Sequence, residues 1–293
     1  MVEIIEEKAH LVIRVGGQEY AQYHFGPTVW KPYLYPLRAA NGLSMLDNEP
    51  TDHRHHHGLW VGHGRVDDND FWLERHNSGK IVHKSFEITP SGETAGFTEA
   101  CEWIAPRGHL SLTDARTFTF YDMPADGRYF DFDISLSTPG ESPVTLHPTN
   151  EAGIPSLRLA PDLTIRRGTG AALTNAEGRQ QAGKPYNTYG KSSPFLDAGG
   201  GKLGRLTYGI AVFDHPANPG YPTKWFTRDY GPISPNYGFF LEDPIVITPG
   251  NPLRLRYRIY SHSHDFEEGR VVEAWEEYRI AAGKANGNPS HGR

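Results

Sequence analysis

Along this chain of 293 residues the dominant hydrophobic period is two. Phe130, Phe132, Ile134 and Leu136 alternate with Asp131, Asp133 and Ser135, and Leu253, Leu255, Tyr257 and Ile259 alternate with Arg254, Arg256 and Arg258. Successive side chains of an extended chain point to opposite sides, so both segments predict antiparallel strands with one buried and one wet face. Shorter runs at 10–15, 18–25, 32–37, 58–64, 81–88, 97–104, 115–121, 206–213 and 236–240 predict further strands. Gly16-Gly17, Pro90-Ser91-Gly92, Asp126-Gly127 and Pro249-Gly250 supply turns between them. Many short strands with turns between them indicate a sandwich or a barrel.

A single segment has helical spacing. Val271, Val272, Trp275 and Tyr278 predict a helix from 268 to about 282, packed on a sheet edge. Asp265 and Glu268 have the spacing of an N-cap and its third residue, and Gly283 is a natural stop. Residues 161–205 are interrupted by Gly168, Gly170, Gly178, Gly183 and Gly190 and read as loops framing a site. No repeat of fixed period is present. The prediction is an all-β protein: one large antiparallel β-sandwich over residues 1–283 with one C-terminal helix, followed by a disordered tail at 284–293.

Composition narrows the function. With 37% hydrophobic and 22% charged residues, the chain can bury a sizeable core. A net charge of −6 without any basic run argues against a nucleic-acid partner. One cysteine, Cys101, excludes an internal disulfide framework and a multi-cysteine zinc site, and its place in a strand predicts a small buried residue. Met1 to Glu7 lacks the basic and apolar regions of a signal peptide, and no stretch approaches a membrane span, so the expected compartment is the cytoplasm. The chain has no phosphate-binding loop, no dinucleotide fingerprint and no Gly-x-Ser-x-Gly elbow, which removes kinase, Rossmann dehydrogenase and α/β-hydrolase readings.

The densest chemistry lies at Asp52-His53-Arg54-His55-His56-His57-Gly58-Leu59-Trp60-Val61-Gly62-His63, with five histidines in 11 positions. Imidazole changes charge near neutral pH and is the commonest metal ligand. A strand from 58 to 64 would project His57 and His63 to one face, with His53, His55 and His56 arriving from the preceding turn. His53, His55, His56 and His63 are therefore candidate ligands of one divalent metal, and His56 and His63 are candidate catalytic groups. The spacing lacks the sharpness of a known zinc motif.

A second candidate is His147-Pro148-Thr149-Asn150-Glu151, where a bend at Pro148 would bring His147 and Glu151 together as acid and base or as metal ligands. A third runs from Asp214 and His215 to Lys224, Trp225, Arg228, Asp229 and Tyr230. Aromatic faces cover the C–H surface of a sugar ring while charged groups hydrogen-bond its hydroxyls, so these seven residues are candidate substrate contacts. His262, in Ser261-His262-Ser263-His264, is expected on the same rim.

Taken together, Asp52-His53-x-His55-His56-x-Gly58-Leu59-Trp60, His63-Gly64, Asp70-Phe71-Trp72, Asn150-Glu151, Asn175-Ala176-Glu177-Gly178, Phe213-Asp214-His215-Pro216-x-Asn218 and Arg228-Asp229-Tyr230-Gly231 resemble the bacterial family often labelled PmoA-like. The resemblance covers roughly residues 30–262. This chain has His57 where that pattern has an arginine and Asn150 where it has a lysine. The label refers to a methane monooxygenase subunit, an integral membrane protein, which a chain without a span does not fit. The resemblance implies instead a place in bacterial carbohydrate catabolism. The β-rich pattern is compatible with the large supersandwich of aldose epimerase and galactose mutarotase-like proteins, an analogy at the level of fold.

The expected function is an enzyme acting on a sugar or keto-sugar glycoside by elimination, hydrolysis or epimerisation. The partner is a small-molecule carbohydrate, with neither nucleic acid nor membrane involved. A histidine of the 53–63 cluster would be the base or would bind a metal. Glu151 or His147 would be the acid, Arg228 and Asp229 would hold hydroxyls, and Trp225 would stack on the ring. The alternatives are a non-catalytic carbohydrate-binding protein, a metal-dependent oxygenase, and a structural or interaction protein in which the histidine run is incidental.

Overall fold

A computed structural model describes residues 1–180 and 187–286. In chain order the strands are β1 (Val2–Glu6), β2 (His10–Val15), β3 (Gln18–His24), β4 (Tyr33–Leu37), β5 (Leu59–His63), β6 (Lys80–Ile88), β7 (Thr94–Ile104), β8 (Leu110–Tyr121), β9 (Gly127–Ser137), β10 (Val144–Leu146) and β11 (Ala152–Arg158). They continue as β12 (Ala172–Asn175), β13 (Gly178–Gln180), β14 (Phe195–Leu203), β15 (Leu206–Asp214), β16 (Phe226–Thr227), β17 (Pro232–Ser234), β18 (Ile245–Ile247) and β19 (Leu253–Ser263). Two helices, α1 (Tyr237–Leu241) and α2 (Val271–Asn286), complete the order. Among the described residues, two large antiparallel sheets form. One runs β1-β2-β3-β4-β5-β11-β17-β16, and the other β13-β12-β14-β15-β19-β9-β8-β7-β6. The small β10-β18 pair stands apart from both.

The alternating segments build the core as their period requires. Phe132 of β9 lies opposite Phe118 of β8 and Tyr257 of β19, and Ile134 lies opposite Leu255; all five are buried. Each such side chain contributes about 1.5–3 kcal/mol on leaving water. The facing sheet supplies a matching row, in which Leu34 pairs with Leu59, Leu59 with Leu157, and Leu157 with Ile233. All four are buried in the same core cluster. Cys101 of β7 is buried there too.

The other face of β14, β15 and β19 is covered by α2. Phe195, Phe213 and Tyr260 pack there against Val271, Trp275 and Tyr278. The Glu268 amide donates to Asp265 Oδ1 at 3.1 Å, but this bond closes the turn before the helix, which begins at Val271. Gly283 does not end it: the helix runs on to Asn286, so Lys284 to Asn286 are helical, and the rest of the expected tail, 287–293, lies outside the described residues.

Two further expectations are corrected. Residues 161–205 contain β12, β13 and β14 rather than loops alone. The glycines hid them: Gly199 and Gly201 sit inside β14, with a register shift against β15 between Ala198 and Gly201 that breaks the period. The segment 236–240 is helical, because Asn236 adopts a left-handed φ of 71° and turns the chain out of the extended direction. Among the described residues, no helix is long and apolar enough to cross a membrane.

Candidate functional site

The one-residue offset from the core row decides what the outer face of the first sheet carries. Tyr33 pairs with Trp60, and Trp60 with Ser156, one step along from Leu34, Leu59 and Leu157. These side chains point away from the sandwich interior, and Trp60 packs there with Tyr33 and Trp72 in a separate cluster. Four connections converge over this face and enclose a cavity of about 390 Å³, within the usual range for small-molecule sites.

The first connection leads into β5. The Glu49 amide donates to the His56 carbonyl at 2.9 Å, and the His53 and His56 amides donate to the Pro50 and His53 carbonyls, so the histidine run is wound into tight turns. In the second, Asp70 Oδ1 accepts from the amides of Trp72 and Leu73 at 2.7 and 3.0 Å, an Asx turn that sets Trp72 across Trp60. In the third, Thr149 Oγ1 accepts from the Glu151 amide. The fourth is the β16–β17 hairpin, Arg228-Asp229-Tyr230-Gly231, which needs glycine at its end because Gly231 has φ of 120°.

These connections bring His53, His55, His56, Glu151, Arg228 and Tyr230 to one cavity, together with Asp52, Trp72, Arg75, Asn150, Ser156 and Phe226. Tyr230, His53, His56 and Trp60 form a continuous ring stack, with centroid separations of 5.2, 4.7 and 5.1 Å and interplanar angles of 13°, 21° and 29°. His55 meets His56 edge-on at 84°. Behind the stack, Arg158 of β11 is buried and touches both parts of the histidine loop. Its Nη1 donates to His56 Nδ1 at 3.3 Å and its Nη2 to Asp52 at 3.1 Å. An arginine only donates, so His56 Nδ1 is the acceptor and the neutral ring carries its proton on Nε2.

Burial and neighbouring charges keep His55 and His56 neutral. Burial, followed by the neighbouring His55, His53 and Arg158, pushes His56 down to about 2. Burial and then Lys31 push His55 down to about 4. Glu151 moves the other way, because burial and then the Asp70 carboxylate raise it above the ordinary carboxylate range. Asp52 is held below that range: burial opposes its charge, but Arg158 and His53 outweigh burial. The site thus sets two uncharged imidazoles, His55 and His56, beside a carboxyl whose proton affinity is raised by burial.

His57 stands outside the cavity as a support. It stacks on Tyr33 at 4.3 Å, and its ring nitrogens contact Asn48 Oδ1 and Glu74 Oε1 at 2.9 and 2.7 Å. Lys31 Nζ joins the same Glu74 oxygen at 2.9 Å and the Trp72 carbonyl at 2.7 Å. Burial would raise Glu74, but His57 and Lys31 outweigh it and hold it down to about 2.

Several residues expected at the site lie elsewhere. His63 points into the core face of β5, fully buried, with Nε2 on the His147 carbonyl at 3.0 Å and its ring against Phe240. It therefore does not share a face with the cavity, and His57 and His63 do not converge. His147 contributes that carbonyl rather than a side chain in the cavity. Trp225 is completely buried, with Nε1 on the Ser193 carbonyl, so its ring is not available for stacking on a ligand. Asp214 is also buried, accepting from Asn218 Nδ2 and the Thr223 amide at 2.8 Å each. His215 Nδ1 accepts from the Ala217 amide in the same turn. Lys224 pairs with Glu242, Asp229 with Arg166, and His262 with Asp197 on the other sheet.

The expected set of four metal ligands does not come together either. His53 and His56 stack face to face, so their in-plane lone pairs run side by side instead of meeting, and His56 Nδ1 is occupied by Arg158. Among the described residues, no group of three or more His, Cys, Asp or Glu side chains is arranged to hold a metal ion. Arg158 is the main residue of the candidate site that sequence reasoning missed. Its signal was an arginine two residues after Ser156 at the end of a mainly apolar strand, Ile154-Pro155-Ser156-Leu157-Arg158.

Comparison with curated proteins finds no match. Among solved structures, the chain is similar to a GalM/aldose epimerase homologue from C. elegans, at 9% identity and a TM-score of 0.35, over 90% of this chain and 99% of that one. It is also similar to a putative aldose 1-epimerase from Escherichia coli K12, at 11% identity and a TM-score of 0.35, over 91% of this chain and 99% of that one. Residues 10–276 match the family of unknown function DUF6807, and the chain belongs to that family.

Proposed function

We propose that this protein is an enzyme that moves a proton on a small carbohydrate, at a carbon next to a carbonyl group. The observation that carries the reading is the cavity itself, which sets the neutral His55 and His56 and Glu151, a carboxylate made more basic by burial, among hydrogen-bonding groups and aromatic edges. Arg75, Arg228, Asn150 and Ser156 supply donors and acceptors for hydroxyls, and Trp72, Phe226 and Tyr230 cover apolar C–H surface. The sequence resemblance to the PmoA-like proteins also points to sugars.

In this reading the Glu151 carboxylate takes the C–H proton, which the neighbouring carbonyl acidifies. The Nε2–H of neutral His56 donates a hydrogen bond to the oxygen on which negative charge develops. A neutral imidazole suits that task, since it stabilises an enolate without delivering a full proton. Protonation of the enolate on its opposite face by solvent, with the abstracted proton left on Glu151, gives epimerisation. Departure of a group from the next carbon gives elimination, and addition of water afterwards completes hydrolysis.

The test is deuterium wash-in from D2O, followed by NMR over a panel of aldoses, ketoses and keto-glycosides. Exchange at the carbon next to the carbonyl, lost in His56→Ala and Glu151→Gln, is the expected result. Sugar binding without exchange in the wild type would leave a carbohydrate-binding protein, and neither binding nor exchange would overturn the reading.

A further inference from the structure

Beside the cavity lies a second one of about 300 Å³, and Asp52 and Tyr230 line both. We propose that this second cavity is a subsite for a further sugar unit, so that the substrate is a neutral glycoside of at least two rings bridging the Asp52–Tyr230 ridge. The inference rests on the sugar reading above and names its substrate class.

Arg158, Arg166, Arg167 and Thr164 line the second compartment, with Asp47 and Asp52. Arg158 is 5% exposed, and its Nε has no hydrogen-bond partner although Nη1 and Nη2 are both engaged. The other two guanidiniums are held in place by carboxylates. Arg166 Nη2 is 2.9 Å from Asp229 Oδ1, and Arg167 Nε is 3.4 Å from Asp162 Oδ1.

Such charge pairs present donors and acceptors side by side, which matches a hydroxyl, itself both donor and acceptor. A phosphate or carboxylate would instead face the carboxylates of Asp47 and Asp52. The ridge suits a linkage between rings. Tyr230 is fixed by His53 on one side and by Arg158 and Arg166, whose guanidinium carbons lie 5.0 and 4.8 Å from its ring centre. Asp52 stays ionised and so only accepts hydrogen bonds there.

The experiment is calorimetric titration of the full chain with three kinds of probe: neutral monosaccharides, the neutral disaccharides built from them, and the corresponding uronic acids and sugar phosphates. Binding of a disaccharide at least about tenfold tighter than its component monosaccharides is expected. Arg166→Ala, and independently the more exposed Arg167→Ala, should narrow that ratio, with circular dichroism confirming the fold. Equal affinity for mono- and disaccharides would overturn the second subsite and leave the sugar reading standing. Tightest binding of the anionic sugars would replace the glycosyl unit with an acidic substituent and overturn the proposal. No binding by any probe would overturn both.

Discussion

Arg158 Nη1 lies 3.3 Å from His56 Nδ1, and the two residues stand 102 positions apart in the chain. The contact joins a buried strand terminus to a surface turn and sets the tautomer of the site histidine. Replacing Arg158 with alanine removes the donor and leaves Asp52 with His53 alone. We expect a loss of about 1–3 kcal/mol in stability by urea unfolding. In nitrogen-15 NMR, His56 of the wild type should show the Nε2–H tautomer, and in Arg158→Ala a mixture of the two. A wild type with the proton on Nδ1 would contradict the assignment.

His56 and His63 should separate cleanly on substitution. His56→Ala should keep the fold and abolish deuterium wash-in, since the ring borders the cavity. His63→Ala removes a fully buried ring from the core face together with its bond to the His147 carbonyl. It should cost about 2–4 kcal/mol in stability while leaving the chemistry measurable below the melting point. Thermal melts and wash-in rates on the two variants would show whether the roles are reversed.

Activity should fall on the acid side through Glu151. A base works when deprotonated, and burial with Asp70 raises this carboxyl above the ordinary glutamate value. The acid limb of kcat/KM should therefore lie above that value, and Glu151→Gln should abolish the activity that defines it. His55 and His56, pushed down to about 4 and about 2, should add no further limb above pH 5. A pH–rate profile with a limb near 6.5 that vanishes in His55→Ala would count against this.

Stability should also depend on pH through a pair far from the cavity. His262 Nε2 lies 2.9 Å from Asp197 Oδ1, both fully buried. Burial alone would lower His262, but Asp197 outweighs it and the folded-state value is raised. A raised histidine stabilises the fold below its unfolded value, and that contribution is lost as pH rises through the folded value. Wild type should thus lose stability as pH rises above the unfolded histidine value, and His262→Gln should flatten that slope in denaturant titrations. An unchanged slope in the variant would assign the effect to other groups.

Strand placement was legible where one face of a strand is wet. The β9 and β19 segments alternate because Asp131, Asp133, Arg254 and Arg256 stay outside while Phe132, Ile134 and Leu255 go inside. Legibility failed at β14, whose glycines erase the period, and at 236–240, where the backbone of Asn236 overrides an apolar run. In the site, His53, His55 and His56 were legible as a group because they are neighbours in sequence and one turn holds them together.

What the sequence by itself determined is therefore local: the period-two strands, the buried Cys101, the helix carrying Trp275 and Tyr278, and a histidine-rich turn at 53–57, whereas its meeting with Glu151, Arg228 and Tyr230 came from the packing of four separate connections. Only the tertiary structure decided which face each strand turns to the core. All five residues of β5 are buried, so its alternation alone did not separate Trp60 at the cavity from His63 in the interior. The same holds for Trp225 and His262, polar-tipped rings that read as surface contacts but are buried on the Ser193 carbonyl and on Asp197. A period of two states that neighbours face opposite ways; the packing of one layer on another states which way is in.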